Sequence, residues 1–545
     1  MSDIQRIIDK YPDEIAVQID DEVVIEIILM EATDDLNSVI GDIIPNGIKY
    51  EYFRAFENEL NTQFYFLKFP DLPATGYEYI GFELARTLDA QISAEEVNFM
   101  GRGHFFGGTA AFDGGQESYT EATLESSLVS CETAINDQLP LAWVHKFTNV
   151  YQFHNERAGE GVNVAVIDTG ASDHDELSDV FEMRKGLNLI EEGSLPNDKL
   201  STDVKRASPG HGSLVASVIA SRGGLTTNRE TTGPGKISGI APGAQIIPIR
   251  AVRSVVDIRL SRIPRAIEHA IEQGADVITM CLGSPFGSRS VKLALEKAVD
   301  AGIIVICAAG NCYGPVVYPA CYASQDLAIA VAAISKNKYP WRYTSMGKSV
   351  TISAPGEHVW GATFIDGEER RFDLKHLVRP SQGTTLATSI TSGIAALWLS
   401  YHGKDNVRYA ASERGQTVLQ LFRDAITSDL TPPEEWQGSN KLGAGIIDAQ
   451  IALSYDITQQ TTLESATLNR SEDTSETFIL TKNDQDRLSQ VSDVEGRKFI
   501  AELNWNHFMG KAQERIESVL ETGIILEKRN LQMSAEFSKF LQSGN

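Results

Sequence analysis

The sequence predicts an α/β fold, a doubly wound parallel sheet with a small α+β unit before it and a helical extension after it. Three observations carry this. From Gly161 to Leu453, short apolar runs alternate with amphipathic stretches of helical length, the pattern of strands joined by crossover helices. The runs are near-continuous in Val, Ile and Ala, as parallel strands buried on both faces must be. The chain has 545 residues, 42% of them hydrophobic, enough for one large core and smaller units beside it, since a single core rarely grows past about 250–300 residues.

In chain order, Ile15–Leu29 is rich in β-branched residues around a turn at Asp20-Asp21, and Phe64–Phe69 (FYFLKF) reads as a strand closed by Pro70 and Pro73. Within Tyr77–Leu88, Ile80, Leu84 and Leu88 stand four apart on one helical face. Ile92–Phe99 reads as a last strand, which makes 1–100 an α+β unit. Gly101–Gln116 is glycine-rich with no hydrophobic period, so 101–140 reads as a connector. In 141–455, strands are expected at Val162–Ile167, Gln245–Ile249, Val277–Met280, Gly302–Cys307, Ala328–Ala332 and Val350–Ile352, with helices at Ile263–Gln273 and Ser290–Ala301. In 456–545, a polar linker to residue 492 precedes an expected amphipathic helix, Asp493–Thr522, with Phe499, Leu503, Val519 and Leu520 available for packing.

Charge narrows the partners. The net charge is -26, and residues 1–140 hold 27 acidic against 7 basic residues, which leaves the remainder nearly balanced. An acidic chain of this kind argues against nucleic acid and anionic membrane as partners. No window approaches the roughly 18–20 uninterrupted apolar residues of a membrane span. The start, MSDIQRIIDKYPDE, lacks a basic segment followed by an apolar run, so no secretory signal is read and a cytoplasmic location is expected. The five cysteines, Cys131, Cys281, Cys307, Cys312 and Cys321, are odd in number and sparse, unlike a disulfide framework. No cofactor or metal is called for. Acidic residues are plentiful, but none is spaced as a calcium ligand set, so structural calcium is neither required nor excluded.

Four segments carry chemistry. VNVAVIDTG delivers Asp168 to the carboxyl end of a strand, where sites form in open α/β sheets. Gly210-His211-Gly212-Ser213 runs from a loop into a helix, with small residues that let other segments approach the imidazole. AGIIVICAAGN brings Asn311 to the end of another strand, where its amide can donate to a developing oxyanion. SQGTTLATSITSGIAALWL turns at Gly383 and places Thr384-Thr385 at the start of an apolar helix, in the positive end of its dipole. Singly, a strand-ending aspartate is a common turn former and a lone histidine is more often packed than catalytic. The ordered set of carboxylate, imidazole, carboxamide and hydroxyl is far more specific.

With these motifs the chain, over about residues 142–453, resembles the subtilases, the subtilisin-like serine proteases. VAVIDTG and HGSLVAS are similar to that family's aspartate and histidine motifs, and AAGN to its oxyanion motif. GIAPGAQIIPIR, ADVITMCLGS, ISAPG and LGAGIIDAQIAL are similar to intervening segments. The resemblance implies that His211 takes the nucleophile's proton, Asp168 holds its tautomer, and Asn311 with the backbone N–H of Thr385 binds the oxyanion. It implies a polypeptide substrate or peptide ligand, paired in extended form with Cys281, Leu282 and Gly283 and with the segment around Val252–Val256. The N-terminal unit resembles the family's βαββαβ propeptide, which covers the cleft.

One position departs from the family pattern G-T-S-x-A-x-P. Here it reads Gly383-Thr384-Thr385-Leu386-Ala387-Thr388-Ser389, with Thr385 in place of serine and Ser389 in place of proline. Threonine keeps the hydroxyl, but its extra methyl restricts χ1 and threatens to turn the oxygen away from His211. Three readings follow: an endopeptidase of reduced activity using Thr385, a pseudoprotease that binds extended peptides without cutting, and a partner-regulated assembly component. Neither Ser389, one turn into the helix, nor Cys281 is expected to replace the nucleophile.

Overall fold

The computed structural model describes residues 23–44, 48–56 and 63–70, scattered positions from 84 to 92, residues 94–101, residues 139–458 apart from short breaks, and 477–481 and 523–527. The chain divides into two compact units. In the N-terminal unit, β1 (Val23–Leu29), β2 (Glu51–Arg54), β3 (Phe64–Phe69) and β4 (Ala94–Gly101) form an antiparallel sheet in the order β2-β3-β1-β4. A short helix, Asn37–Ile40, lies between β1 and β2, and helical Leu84, Ala85 and Leu88 lie between β3 and β4, so the chain follows a βαββαβ path. Leu84 and Leu88 are fully buried, as their four-residue spacing requires, whereas Ile80 lies outside the described residues.

The second unit is built on a seven-stranded sheet of β5 (Asn163–Asp168), β6 (Leu187–Asn188), β7 (Gln245–Arg250), β8 (Val277–Met280), β9 (Ile304–Ala308), β10 (Ile329–Ile334) and β11 (Ile352–Pro355). All its ladders are parallel, in the order β11-β10-β9-β8-β5-β7-β6. The order reverses at β5: β6 and β7 lie to one side and β8 to β11 to the other. Its carboxyl end is therefore a topological switch point, where ligands bind in open α/β sheets. β8 lies where expected, and the ends of the other strands differ by up to three residues for local reasons. β9 starts at Ile304 because Gly302, in the left-handed region at φ +79°, closes the preceding helix. β11 starts at Ile352 because Val350 closes a turn onto the Gly347 carbonyl. A hairpin that the sequence reading did not single out, β12 (Val359–Phe364) with β13 (His376–Ser381), follows.

After a short helix, Trp143–Phe147, the described part of this unit holds α1 (His211–Ala220), α2 (Ile263–Glu272), α3 (Arg289–Asp300), α4 (Thr384–His402), α5 (Lys404–Glu413), α6 (Val418–Thr427) and α7 (Ala449–Ser454). Helix α4 packs against β8, β9, β10, β11 and α1, and every residue from Thr384 to Leu399 is buried. Several of its hydroxyls tolerate this because they bond back into the helix, Thr391 Oγ1 to the Ala387 carbonyl at 2.9 Å and Ser392 Oγ to that of Thr388 at 2.9 Å, whereas Thr388 Oγ1 is buried without a partner. Small residues bring neighbours close, and a Cβ added at Gly393 would lie 2.4 Å from Ile240 Cβ.

The C-terminal segment departs from the expected linker. Thr477–Thr481 (β14), within the stretch read as a polar linker, pairs antiparallel with Gly523–Glu527 (β15). The whole of the expected helix 493–522, with Phe499, Leu503, Val519 and Leu520, lies outside the described residues, as do Cys131 and Cys312.

Two stability predictions follow from this packing. Gly393→Ala lowers the unfolding free energy by about 1–3 kcal/mol, the usual cost of overpacking, read from the urea midpoint at unchanged slope. His145 is buried with no partner on Nδ1, and its Nε2 lies 3.2 Å from the Gly239 carbonyl. Burial, and then the neighbouring His154, hold it at about 4 against the ordinary 6.5. Between those values the unfolded chain binds a proton that the folded one refuses, so stability falls as pH drops through this window. The full contribution is about 3 kcal/mol, and His145→Phe removes that part of the pH slope in urea titrations.

Candidate active site

Asp168 ends β5 and is fully buried. The Thr169 N–H donates to its Oδ1 at 2.7 Å, turning the chain back at the sheet edge. His211 opens α1, entered through Gly210 at φ +75°, a left-handed conformation that glycine adopts without strain. Its ring is nearly buried, 8% exposed, and Nδ1 lies 2.8 Å and 3.0 Å from the two Asp168 carboxylate oxygens. A carboxylate only accepts, so Nδ1 donates and Nε2 is left to accept. The hydroxyl of Thr385 stands 3.2 Å from Nε2.

The start of α4 presents that hydroxyl. Gly383, at φ +141°, delivers Thr384 and Thr385 to the first turn, and Thr385 is 7% exposed. The β-branch does not turn the oxygen away, since Oγ1 stands within hydrogen-bond reach of the imidazole. The backbone N–H of Thr385 belongs to the first turn, where no intrahelical acceptor exists. Asn311 stands beside it. Its Oδ1 accepts from the Thr384 N–H at 2.9 Å and from Thr384 Oγ1 at 2.8 Å, which orients the amide and leaves its NH2 end toward Gly383. The sequence places Thr384 in the Gly-Thr-Thr string but does not reveal this orienting role.

The structure thus brings Asp168, His211, Asn311 and Thr385 together. The other residues singled out from the sequence sit nearby with different roles. Cys281 is buried under α4, its thiol 3.6 Å from the Thr385 carbonyl as a weak donor, and burial pushes the thiol far above its ordinary range. Ser389 Oγ donates to the same carbonyl at 2.8 Å, so it is committed to the helix. Leu282 is buried, and the Gly283 N–H donates to the Val255 carbonyl at 3.1 Å. The two segments expected to flank an extended peptide are therefore joined to each other at this point. Among the described residues no group of acidic, histidine or cysteine side chains is arranged to hold a metal ion. No described helix is long and apolar enough to cross a membrane.

An aspartate, a histidine and a hydroxyl in a relay, on strand ends and helix starts of a parallel α/β sheet, define a serine-protease-like site. Comparison with known proteins gives the family: the profile of the subtilase family matches residues 159–437, and the chain belongs to that family. It is 31% identical over 270 residues to a thermostable alkaline protease of Halalkalibacterium halodurans, covering 49% of this chain and 64% of that one. It is 33% identical to subtilisin DY of Bacillus licheniformis, over 48% of this chain and 85% of the relative. An intracellular serine protease of Paenibacillus polymyxa is 30% identical, over 51% and 73%. The crystal structure of MycP1 with its N-terminal propeptide removed aligns with a TM-score of 0.43 at 23% identity, over 58% of this chain and 97% of that one.

The buried, protonated state of Cys281 has a direct consequence. In the folded protein at pH 8, iodoacetamide leaves Cys281 unmodified, while in urea the same residue is alkylated fully, as peptide mass spectrometry reads out.

Proposed function

We propose that the protein is an endopeptidase that cuts unfolded or extended polypeptides with Thr385 as nucleophile, more slowly than a serine would. The observation that carries this reading is the unbroken relay, Asp168 to His211 Nδ1 at 2.8 Å and His211 Nε2 to Thr385 Oγ1 at 3.2 Å. As Thr385 Oγ1 attacks the scissile carbonyl, His211 Nε2 takes its proton, and Asp168 stabilises the imidazolium and holds its tautomer. The oxyanion is met by the Asn311 NH2 group and the Thr385 backbone N–H. His211 then gives the proton to the leaving amine, and water resolves the threonyl ester by the reverse path. Residues 1–100 act in this scheme as a propeptide-like unit over the cleft of the peptidase region 141–455, in support of which stands their βαββαβ strand order. The reading keeps the protein in the cytoplasm.

A second reading, a pseudoprotease that holds peptides without cutting them, is favoured by Thr385 standing where the family pattern has serine. The size of the effects separates the two. In subtilisin, removing the nucleophile costs about 2 × 10⁶ in turnover, or about 8–9 kcal/mol, so a threonine that cannot react is biologically silent. Holding the β-branched side chain off its preferred rotamer in the transition state costs about 1–1.4 kcal/mol, a loss of about fivefold to tenfold.

Purified protein is therefore expected to cleave a fluorescently labelled, unfolded polypeptide, and His211→Ala to abolish cleavage. Thr385→Ser should raise the rate about tenfold. Cleavage by Thr385→Ser alone would establish the pseudoprotease reading, and cleavage by neither would end the proteolytic one.

A further inference from the structure

Both backbone amides that flank His211 are pinned by groups outside its own helix. The Gly212 N–H donates to Thr169 Oγ1 at 3.1 Å, which ties it to the turn after Asp168. The Gly210 N–H donates to Asp198 Oδ2 at 2.7 Å. Asp198 comes from a different segment, the loop that follows β6. Asn188, on β6, organises that loop. Its Oδ1 accepts from the Ile190 and Glu191 N–H groups at 3.0 Å and 2.9 Å, and its Nδ2 donates to the Leu195 carbonyl at 2.9 Å. The loop then runs alongside the aspartate turn. The Ala171 N–H donates to the Pro196 carbonyl and the Asp198 N–H to the Ala171 carbonyl, both at 2.8 Å.

Arg250 joins the two sides. It ends β7, in register with Asp168 on one neighbour and Asn188 on the other. Its guanidinium donates to the Thr169 carbonyl, lies 3.2 Å from Glu191 Oε2 and stands 3.5 Å from Asp198 Oδ1. Arg250 and Asp198 are both more than nine-tenths buried. A planar, multiply donating cation held among buried acceptors is a rigid brace. The chain of contacts runs from the Thr169 carbonyl through Arg250 and Asp198 to the Gly210 N–H, and returns from the Gly212 N–H to Thr169 Oγ1. His211 sits between the two ends.

We infer that Asp198 and Arg250 are positioning residues that hold the His211 backbone in register with the Asp168 turn, and so set the imidazole–carboxylate geometry of the relay. The inference rests on the proteolytic reading only for its effect on turnover. A misplacement of a reacting group by about 1 Å, caused by a change far from it, costs about a hundredfold, and removing the brace allows displacements up to that order.

The test uses the full-length protein labelled with [15N]histidine, and reads the downfield proton of the His211 Nδ1–H···Asp168 bond, assigned by its loss in His211→Ala. In Asp198→Ala this resonance should shift and broaden, and in Asp198→Asn it should be restored, because the amide oxygen still accepts from Gly210. Asp276→Asn is the control for general destabilisation. Asp276 is a buried carboxylate paired with Lys404 at 3.0 Å and Arg408 at 3.4 Å, apart from the relay, and its substitution should leave the resonance in place. In the Thr385→Ser background, Asp198→Ala should lower kcat about tenfold to a hundredfold with KM changed less than about twofold. If that background cuts nothing even with the brace intact, the proteolytic reading fails while the resonance still decides the positioning role. Should Asp198→Ala not fold, Arg250→Met decides in its place. An unmoved resonance in folded Asp198→Ala, or in Arg250→Met, overturns the inference.

Discussion

The first turn of α1 meets the end of β5 at a distance that only glycine permits, and the geometry of the site depends on that contact. A Cβ at Gly212 would lie 2.2 Å from the Gly170 carbonyl oxygen. With hydrogen in its place, the helix start rests against the aspartate turn, the Gly212 N–H reaches Thr169 Oγ1, and the imidazole arrives within 2.8 Å of Asp168. Ser213, buried on the same turn, accepts from the Ser172 N–H at 2.8 Å and closes the joint on its other side. These are short polar bonds in a buried setting, where each is stronger than in water and costly to leave half-made.

The hydroxyl reaches this joint from a different part of the core. Helix α4 enters through Gly383 and is then buried for four turns, so its first residues have little freedom to move toward or away from His211. That rigidity bears directly on a threonine at the nucleophile position. The surroundings select the rotamer in which Oγ1 faces Nε2, and the same rigidity limits how far the side chain can follow an incoming carbonyl. The hydroxyl of Thr384 is spent on Asn311 rather than on chemistry, which keeps the carboxamide turned with its donors outward. Of two adjacent threonines, one thus faces the imidazole and the other orients the amide.

On the proposed proteolytic reading, the substrate side is more closed than a simple cleft. The bond from Gly283 to the Val255 carbonyl joins two segments that an extended peptide would separate. Exchanging one backbone hydrogen bond for others is nearly neutral in free energy, so a peptide of good fit can displace it and a poor one cannot. Such a contact favours selectivity over affinity.

The strands and helices of the α/β sheet were legible in the sequence because buried parallel strands and amphipathic helices each leave a local apolar signature. Asp168, His211, Asn311 and the Thr385 hydroxyl were legible for a related reason, since each lies in a short string that sets its own turn or helix start. The hairpin β12-β13 and the β14-β15 pair left weaker signs. Their stability comes from partners across the ladder, which no local pattern reports. Only the tertiary structure decided which way Thr385 points, where Ser389 spends its hydroxyl, and that Asp198 and Arg250 brace His211. A side chain's rotamer and a charge's partner are set by neighbours distant in sequence, and folding alone brings those neighbours within hydrogen-bond reach.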